Sequence, residues 1–476
     1  MEQVRLSDLE RNVAWYRWHQ TAAGALFWLP TIMLFFVDEV GLSRALQLQA
    51  VYYFAVVALE VPSGWASDRL GRVVTMRVAA LAWVAAQLSL LTVATTGLGG
   101  VWPLIAAQIL LAAGYAALSG TDSTFHLDTV EAIGAVDDYE RLEAAARRRN
   151  LVATALAAVV GGALATADFA FVFAAGSVAA ACQLVVSLRL IEPPPAATVT
   201  PTADSPQRFG DLRTIGRSLR VPIVAWLALA VVVQVVVVHL AADLTPPYLA
   251  SLIDGGLGAP ARGALAAGIV GASVAFAGAW FVGRVPHLVR RIGVPATIIA
   301  TGLAPVIVLG AMSWTVAWWI TPILVFRGVQ GAAVSVIAPR VVGAHVAARH
   351  RATLLSAMSL AGRLTYGVAA LAMAALTSSL IGSLRLAASI AFVGWVTVAV
   401  AHRWVPRGQR SIDHGHGHRH PETVHVHFHR HDDGHHDDHV HDDPVSAGVF
   451  HAHEHRHDEV HHQHPHTSDV HHQHNH

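Results

Sequence analysis

"EVPSGWASDRLGR", Glu60 to Arg72, puts two glycines, a proline and four charged residues into thirteen positions. On either side the chain is apolar: "LQAVYYFAVVAL" precedes it and "VAALAWVAAQLSLLTVA" follows. A helix needs about 20 apolar residues to cross a bilayer. The stretch is therefore a tight charged turn between two membrane helices, and the rest of the sequence repeats that arrangement. Of 476 residues, 54% are hydrophobic and 13% charged, outside the usual balance of soluble globular domains. Twelve apolar runs stand at roughly 15–37, 45–63, 75–96, 101–121, 150–167, 169–190, 221–243, 263–283, 294–313, 315–337, 353–377 and 380–404. The first is long enough to span and is preceded by a polar stretch, so no cleavable signal peptide is expected.

All 32 basic residues are Arg, and their placement orients the chain. Alternate loops hold 18 of them, among them Arg69, Arg72, Arg77, Arg147, Arg148, Arg149, Arg290 and Arg291, against Arg44, Arg262 and Arg385 on the other side. By the positive-inside rule both termini are cytoplasmic, and a plasma (inner) membrane location is expected. The Pro/Thr/Ala-rich stretch "IEPPPAATVTPTADSPQ" separates six spans from six. The division is then a cytoplasmic N-terminus 1–14, a six-helix half 15–190, a central linker 191–220, a second half 221–405, and a tail 406–476. The fold class is an all-α membrane protein of twelve transmembrane helices in two six-helix pseudo-repeats, with a disordered His-rich tail.

The formal net charge of zero conceals two regions. From Asp413 on lie 12 acids and 3 Arg, leaving 20 acids and 29 Arg before it, a net of +9 for the membrane part. The same 64 residues carry 24 His. H-x-H spacing recurs at His414, His416, His418 and His420, at His425, His427, His429 and His431, and at His451, His453, His455 and His457; His435, His436, His439 and His441 lie between. So few apolar residues accompany them that no core forms. Imidazoles two apart, with carboxylates nearby, suit a borderline divalent metal: Ni²⁺, Co²⁺ or Zn²⁺. The only cysteine, Cys182, offers no thiolate site. No enzyme is expected, because a chain without Lys has no P-loop lysine and no hydrolase site stands out. No required cofactor and no nucleic-acid partner are indicated; the expected partners are the bilayer and a small-molecule or metal-ion substrate, with the chain a monomer.

Gly64, Asp68, Arg69, Gly71 and Arg72 reproduce G-x-x-x-D-R-x-G-R, and in a twelve-span chain this resembles the loop between spans 2 and 3 of the major facilitator superfamily. Val73 stands where the family usually places another basic residue. "GRVPHLVRRIG", Gly283 to Gly293, echoes the loop in the second half without the Asp. "RGVQGAA", Arg327 to Ala333, resembles the family's R-x-x-Q-G motif, here in span 10 rather than span 4. The span-5 antiporter signature with its Gly-Pro pair is absent. The resemblance covers about residues 13–405, and parts of it look like a bacterial efflux-permease branch. The fold together with a cytoplasmic His-rich C-terminus also resembles nickel-resistance permeases.

The resemblance implies that Gly64, Asp68, Arg69, Gly71 and Arg72 form a gating loop, and that spans 1, 4, 7 and 10 line a central cavity. Ionisable residues in those spans are functional candidates, because an intramembrane charge is costly: His19, Asp122, His126, His239, Asp243 and Arg327. Asp122 with His126, and His239 with Asp243, are i,i+4 pairs, placed to share a proton or a cation. Glu60 is expected in the gating network around Asp68, and Arg327 either faces the cavity or clamps helix carbonyls. The leading expectation is a secondary transporter that exports a divalent metal ion or metal chelate, with or without coupling to protons, with the tail gathering or sensing metal. Efflux of an organic drug or metabolite is the alternative, and a membrane-anchored metal-storage protein the third.

Overall fold

The structure is a computed structural model and describes residues 6–97, 99–194, 215–254 and 261–406, with 413–420, 423–429, 451–457 and 460–467 in the tail. The chain divides into two units, Met1–Arg410 and Ser411–His476. The first unit is a bundle of helices. Span 1 comprises Leu6–Gly24 and the start of Ile32–Leu70, and span 2 is the remainder of that helix beyond Gly41, whose φ of 81° interrupts it. Span 3 is Arg72–Thr96; span 4 is Val101–Leu118 followed by Thr121–Ala132; spans 5 and 6 are Tyr139–Ala165 and Phe169–Arg189. In the second half, spans 7, 8 and 9 are Pro222–Asp254, Ala261–Val282 and Val294–Trp314. Span 10 opens as a 3₁₀ helix, Trp318–Gly328, and continues as Val329–His345; spans 11 and 12 are Ala348–Leu376 and Leu380–Ala401.

Ten of these segments are long and apolar enough to cross a membrane, and the bundle is that of a multi-pass membrane protein. The first part of span 1 and span 5 fall short for one reason: both carry their loop-end charges inside the helix. Span 1 has Asp8, Glu10, Arg11 and Arg17, and span 5 has Glu140, Arg141, Glu143 and Arg147–Arg149. Large apolar side chains point outward all round the bundle, with Trp102, Phe276 and Leu376 each about three-quarters exposed. Such a surface matches hydrocarbon rather than water.

Three local features depart from continuous spans. Span 1 unwinds over 25–31, where Pro30 lacks the N–H a helix needs and Leu26 and Phe27 bond carbonyls two residues back. Span 7 does not stop near 243 but runs to Asp254 through Pro246 and Pro247. Asp243 thus lies well inside a 33-residue helix rather than at its end. The 3₁₀ opening of span 10 lasts 11 residues, where such runs usually end after three or four.

Small residues let backbones meet. A Cβ on Gly24 would lie 2.3 Å from the Asn150 carbonyl oxygen, and one on Gly161 1.9 Å from that of Phe27, so spans 1 and 5 touch backbone to backbone. Between the halves, Gly162 meets the Ala264 carbonyl and Gly268 that of Ala158. Leu34, Ala165 and Val172 of the first half pack with Ala250 and Ala264 of the second at the end away from the Asp68 loop. Spans 2 and 11 run antiparallel, with contacts at Ser43 to Ala374, Phe54 to Gly367 and Glu60 to Arg363.

In the second unit, four segments of the His-rich tail are extended and paired. β1 (Asp413–His420) is antiparallel to β4 (Val460–Thr467), and β2 (Thr423–His429) to β3 (His451–His457). His414 is opposite His466, and His427 opposite His453. The H-x-H alternation has the two-residue period of a strand, which a count of apolar residues does not register. His431, His435, His436, His439 and His441 lie outside the described residues, as does 195–214 of the linker.

Candidate functional site

The turn between spans 2 and 3 reduces to one residue. Span 2 ends at Leu70, span 3 starts at Arg72, and Gly71 between them has φ 97°, a value that favours glycine. A carboxylate satisfies the exposed start of span 3: Glu192 accepts from the Arg72 amide at 2.7 Å and the Val73 amide at 2.8 Å. Arg72 donates from Nε to Asp128 at 2.6 Å and lies 3.8 Å from Asp68, while the Arg69 guanidinium sits over the Trp65 ring. Gly64 lies within the span-2 helix. Asn12 exchanges two hydrogen bonds with the backbone of Ile191, and Arg77 donates to the Ser187 and Leu190 carbonyls. The first linker residues are thereby fastened against spans 1 and 3. Neither Glu192 nor Asp128 stands out by sequence.

Asp122 and His126 share a helix but not a ligand. Span 4 breaks at Gly120, and Asp122 in the first turn beyond it accepts from Gln20 Nε2 at 2.6 Å and from the Ser123 amide. Gln20 also donates to the Tyr16 hydroxyl, which donates to Glu143 at 3.2 Å; Asn150 donates to the Gln20 carbonyl. His126 is buried, with its ring stacked on Tyr16 at 4.2 Å and neither ring nitrogen in a hydrogen bond. His19 is buried too, with Nε2 3.3 Å from the Gln183 side-chain nitrogen. Glu143 precedes the membrane-crossing run of span 5. Burial pushes its carboxyl above the ordinary value against the lowering effects of the Tyr16 hydroxyl and Arg147, and the charge of Asp122 adds to the rise.

The second cluster lies where the halves meet. Asp243 on span 7 accepts from Gln49 Nε2 of span 2 at 2.7 Å and from the Tyr366 hydroxyl of span 11. Gln108 of span 4 donates to Gln49 Oε1 at 3.0 Å. His239 donates from Nδ1 to the carbonyl of Val235 at 2.6 Å. Its ring stands against Tyr53 at 4.9 Å and Tyr366 at 5.4 Å, and the two tyrosines are 4.6 Å apart. The i,i+4 spacing places both side chains in one cluster, in which each Asp243 oxygen and one His239 nitrogen already has a partner. Arg327 acts as a clamp, donating to the Ala241 carbonyl at 3.0 Å and to Thr245 Oγ1 at 3.1 Å, just before the span-7 prolines.

Sequence reasoning missed the partners on the facing helices. Glu60 does not join Asp68; it pairs with Arg363 of span 11 at 3.0 Å and accepts from Ser356 at 3.1 Å. Arg363 also donates to the Tyr115 hydroxyl of span 4 at 2.7 Å. Arg363 interrupts an apolar span, a signal of the same kind as Arg327, whereas Gln49, Tyr53 and Tyr366 carry no such mark. Among the residues whose side chains are described, no three His, Cys, Asp or Glu side chains come together as a metal site.

The fold is two six-span halves with a polar cluster held from both. Solved structures agree. The chain is similar to the nucleoside transporter NupG (TM-score 0.63, 14% identity, covering 83% of this chain and 99% of that one). It is also similar to a D-xylose–proton symporter (0.61, 13%, 85% and 99%) and to an inward-facing bacterial homologue of the human lysosomal transporter Spinster (0.57, 14%, 85% and 97%). No protein-family model matches the chain, and no curated sequence does either.

Proposed function

We propose that the chain is a secondary transporter working by alternating access, with the Arg-rich loops and both termini on the cytoplasmic side of the plasma membrane. The observation that carries this reading is the Asp243 cluster, in which one carboxylate takes hydrogen bonds from a side chain of each half. A solute bound among Tyr53, His239 and Tyr366 would contact both halves and so bias their arrangement. Rings, a hydroxyl and an imidazole suit a small organic solute or the organic shell of a metal chelate better than a bare ion. A bare divalent ion would compete with Gln49 and Tyr366 for the Asp243 oxygens.

The tail supports a second role, in which 24 His gather or sense Ni²⁺, Co²⁺ or Zn²⁺ and raise its local concentration by tethering. The deciding experiment is transport in proteoliposomes by the full chain and by a form ending at Ser411. Metal ions, their small chelates and uncharged organic solutes are compared with and without a pH gradient. Counterflow of an organic solute or chelate, reduced at least tenfold by Asp243→Asn, supports the reading; transport of free metal ion at an equal rate by that variant overturns the assignment of the central site.

A further inference from the structure

Where the apolar runs of spans 1, 5 and 6 reach the Asp68-loop side, arginine is paired with tryptophan instead of acid. The Arg149 guanidinium of span 5 lies over the Trp18 ring at 5.5 Å, and that of Arg189 of span 6 over the Trp15 ring at 5.7 Å. Trp15 and Trp18 are i,i+3 on span 1, which packs against both neighbours, so one patch joins three helices. The other two Arg–Trp pairs, Arg69 with Trp65 and Arg284 with Trp280, are each formed four residues apart in sequence. Arg149, Arg189 and Trp18 are exposed. Among the described residues neither arginine has a carboxylate partner: Asp8 is paired with Arg11, Glu143 accepts from Tyr16, and Glu192 caps span 3. A ring contact uses the flat face of a guanidinium and leaves its N–H edge free for two oxygens of a phosphate.

Each arginine also heads a stripe of exposed apolar side chains. Val152, Leu156 and Val160 follow Arg149 at i+3, i+7 and i+11 on span 5, and Val185, Cys182 and Val178 precede Arg189 at i−4, i−7 and i−11 on span 6. Both stripes run about 16 Å from the charge toward the middle of the bilayer, the depth of one leaflet's hydrocarbon. We propose that this patch is a site for one anionic phospholipid, with Arg149 and Arg189 donating to headgroup oxygens and the two stripes receiving the acyl chains. A soluble anion or an acidic peptide would use the arginines alone; the stripes commit the site to a lipid. The headgroup is anionic because a zwitterionic one would bring its ammonium beside two unneutralised guanidiniums and the neighbouring Arg147 and Arg148. All three helices belong to the first half, so the site persists however the halves are arranged and does not depend on the transport reading.

The test is lipid retention. The full chain is reconstituted in an equal mixture of phosphatidylcholine and phosphatidylglycerol and extracted in mild detergent, and the lipids kept per chain are counted by native mass spectrometry. Phosphatidylglycerol should be retained in preference, and Arg149→Gln with Arg189→Gln should lower its retention at least about tenfold, the scale of removing two cations at a membrane surface. Arg290→Gln with Arg291→Gln removes the same charge from other exposed positions on the loop side and should leave retention unchanged. Trp18→Leu, which keeps every charge, should lower it by a smaller factor and serves should the double variant fail to fold. Equal retention of the two lipids by the parent overturns the proposal. So does an equal loss in the Arg290 and Arg291 variant, which would assign the effect to net charge. Displacement of the retained lipid by glycerol phosphate at equal concentration would make a soluble anion the ligand and overturns it as well.

Discussion

The polar networks described in the two halves differ in reach. In the first, Tyr16, Gln20, Asp122, Glu143 and Asn150 bond to one another, and Arg72, Asp128 and Glu192 close the span 2–3 turn, all within the six-helix unit. In the second, Asp243 and Arg363 reach across to Gln49, Glu60 and Tyr115. In alternating access a half moves as a body, so contacts inside it persist while contacts between halves must form and break. Damage to the first kind should appear as lost stability, and damage to the second as altered transport by a folded protein.

The strongest challenge to that division is at the glycines. Gly161→Leu puts side-chain atoms into the Phe27 carbonyl inside the first half, an overpacking cost of about 3 kcal/mol or more, and should leave little monodisperse protein on size-exclusion chromatography in detergent. Gly268→Ala meets the Ala158 carbonyl at 2.3 Å, but between the halves, where they can part. It should fold and be biased toward opening at the end away from the Asp68 loop. Equal loss of folded protein in both variants would break the comparison.

A smaller effect is expected from Glu192→Ala, which uncaps span 3 and should cost about 1 kcal/mol of stability while leaving the transport rate per folded molecule within about twofold. Thermal unfolding and the proteoliposome assay together check it. A tenfold loss of rate with unchanged unfolding temperature would show that the span 2–3 turn belongs to the moving contacts.

The fold was legible because two signals are local. Apolar runs longer than about 20 residues and arginines in alternate loops require no knowledge of what packs against what. The helix irregularities were less so: the apolar run ends near 243 although span 7 continues to Asp254, and the run 15–37 shows no sign of the break that Pro30 marks in span 1. The candidate site was half legible. Charge inside an apolar run marked Asp243 and Arg327, but i,i+4 spacing says only that two side chains share a face and not which neighbour reaches them first. Asp243 is met by Gln49 and Tyr366, over one hundred residues distant in each direction, and that pairing is tertiary.

The smallest effect is a pH dependence at Glu143. Its carboxyl, pushed up by burial, keeps its proton to a higher pH in the folded chain than in the unfolded one. Between the ordinary glutamate value and the raised folded value, the native state binds more protons, so stability falls as pH rises through that window and is highest below it. Glu143→Gln removes the titration while keeping an oxygen for the Tyr16 hydroxyl. The variant should lose less unfolding temperature than the parent between pH 5 and pH 8, by a small margin because the group is only half-buried. Since Glu143 bonds only within the first half, spin-label distances across the halves should be the same in parent and variant at each pH. An equal pH slope in unfolding, or a distance that follows the substitution, would mean that this network is not closed on itself and that the contrast between the halves is drawn in the wrong place.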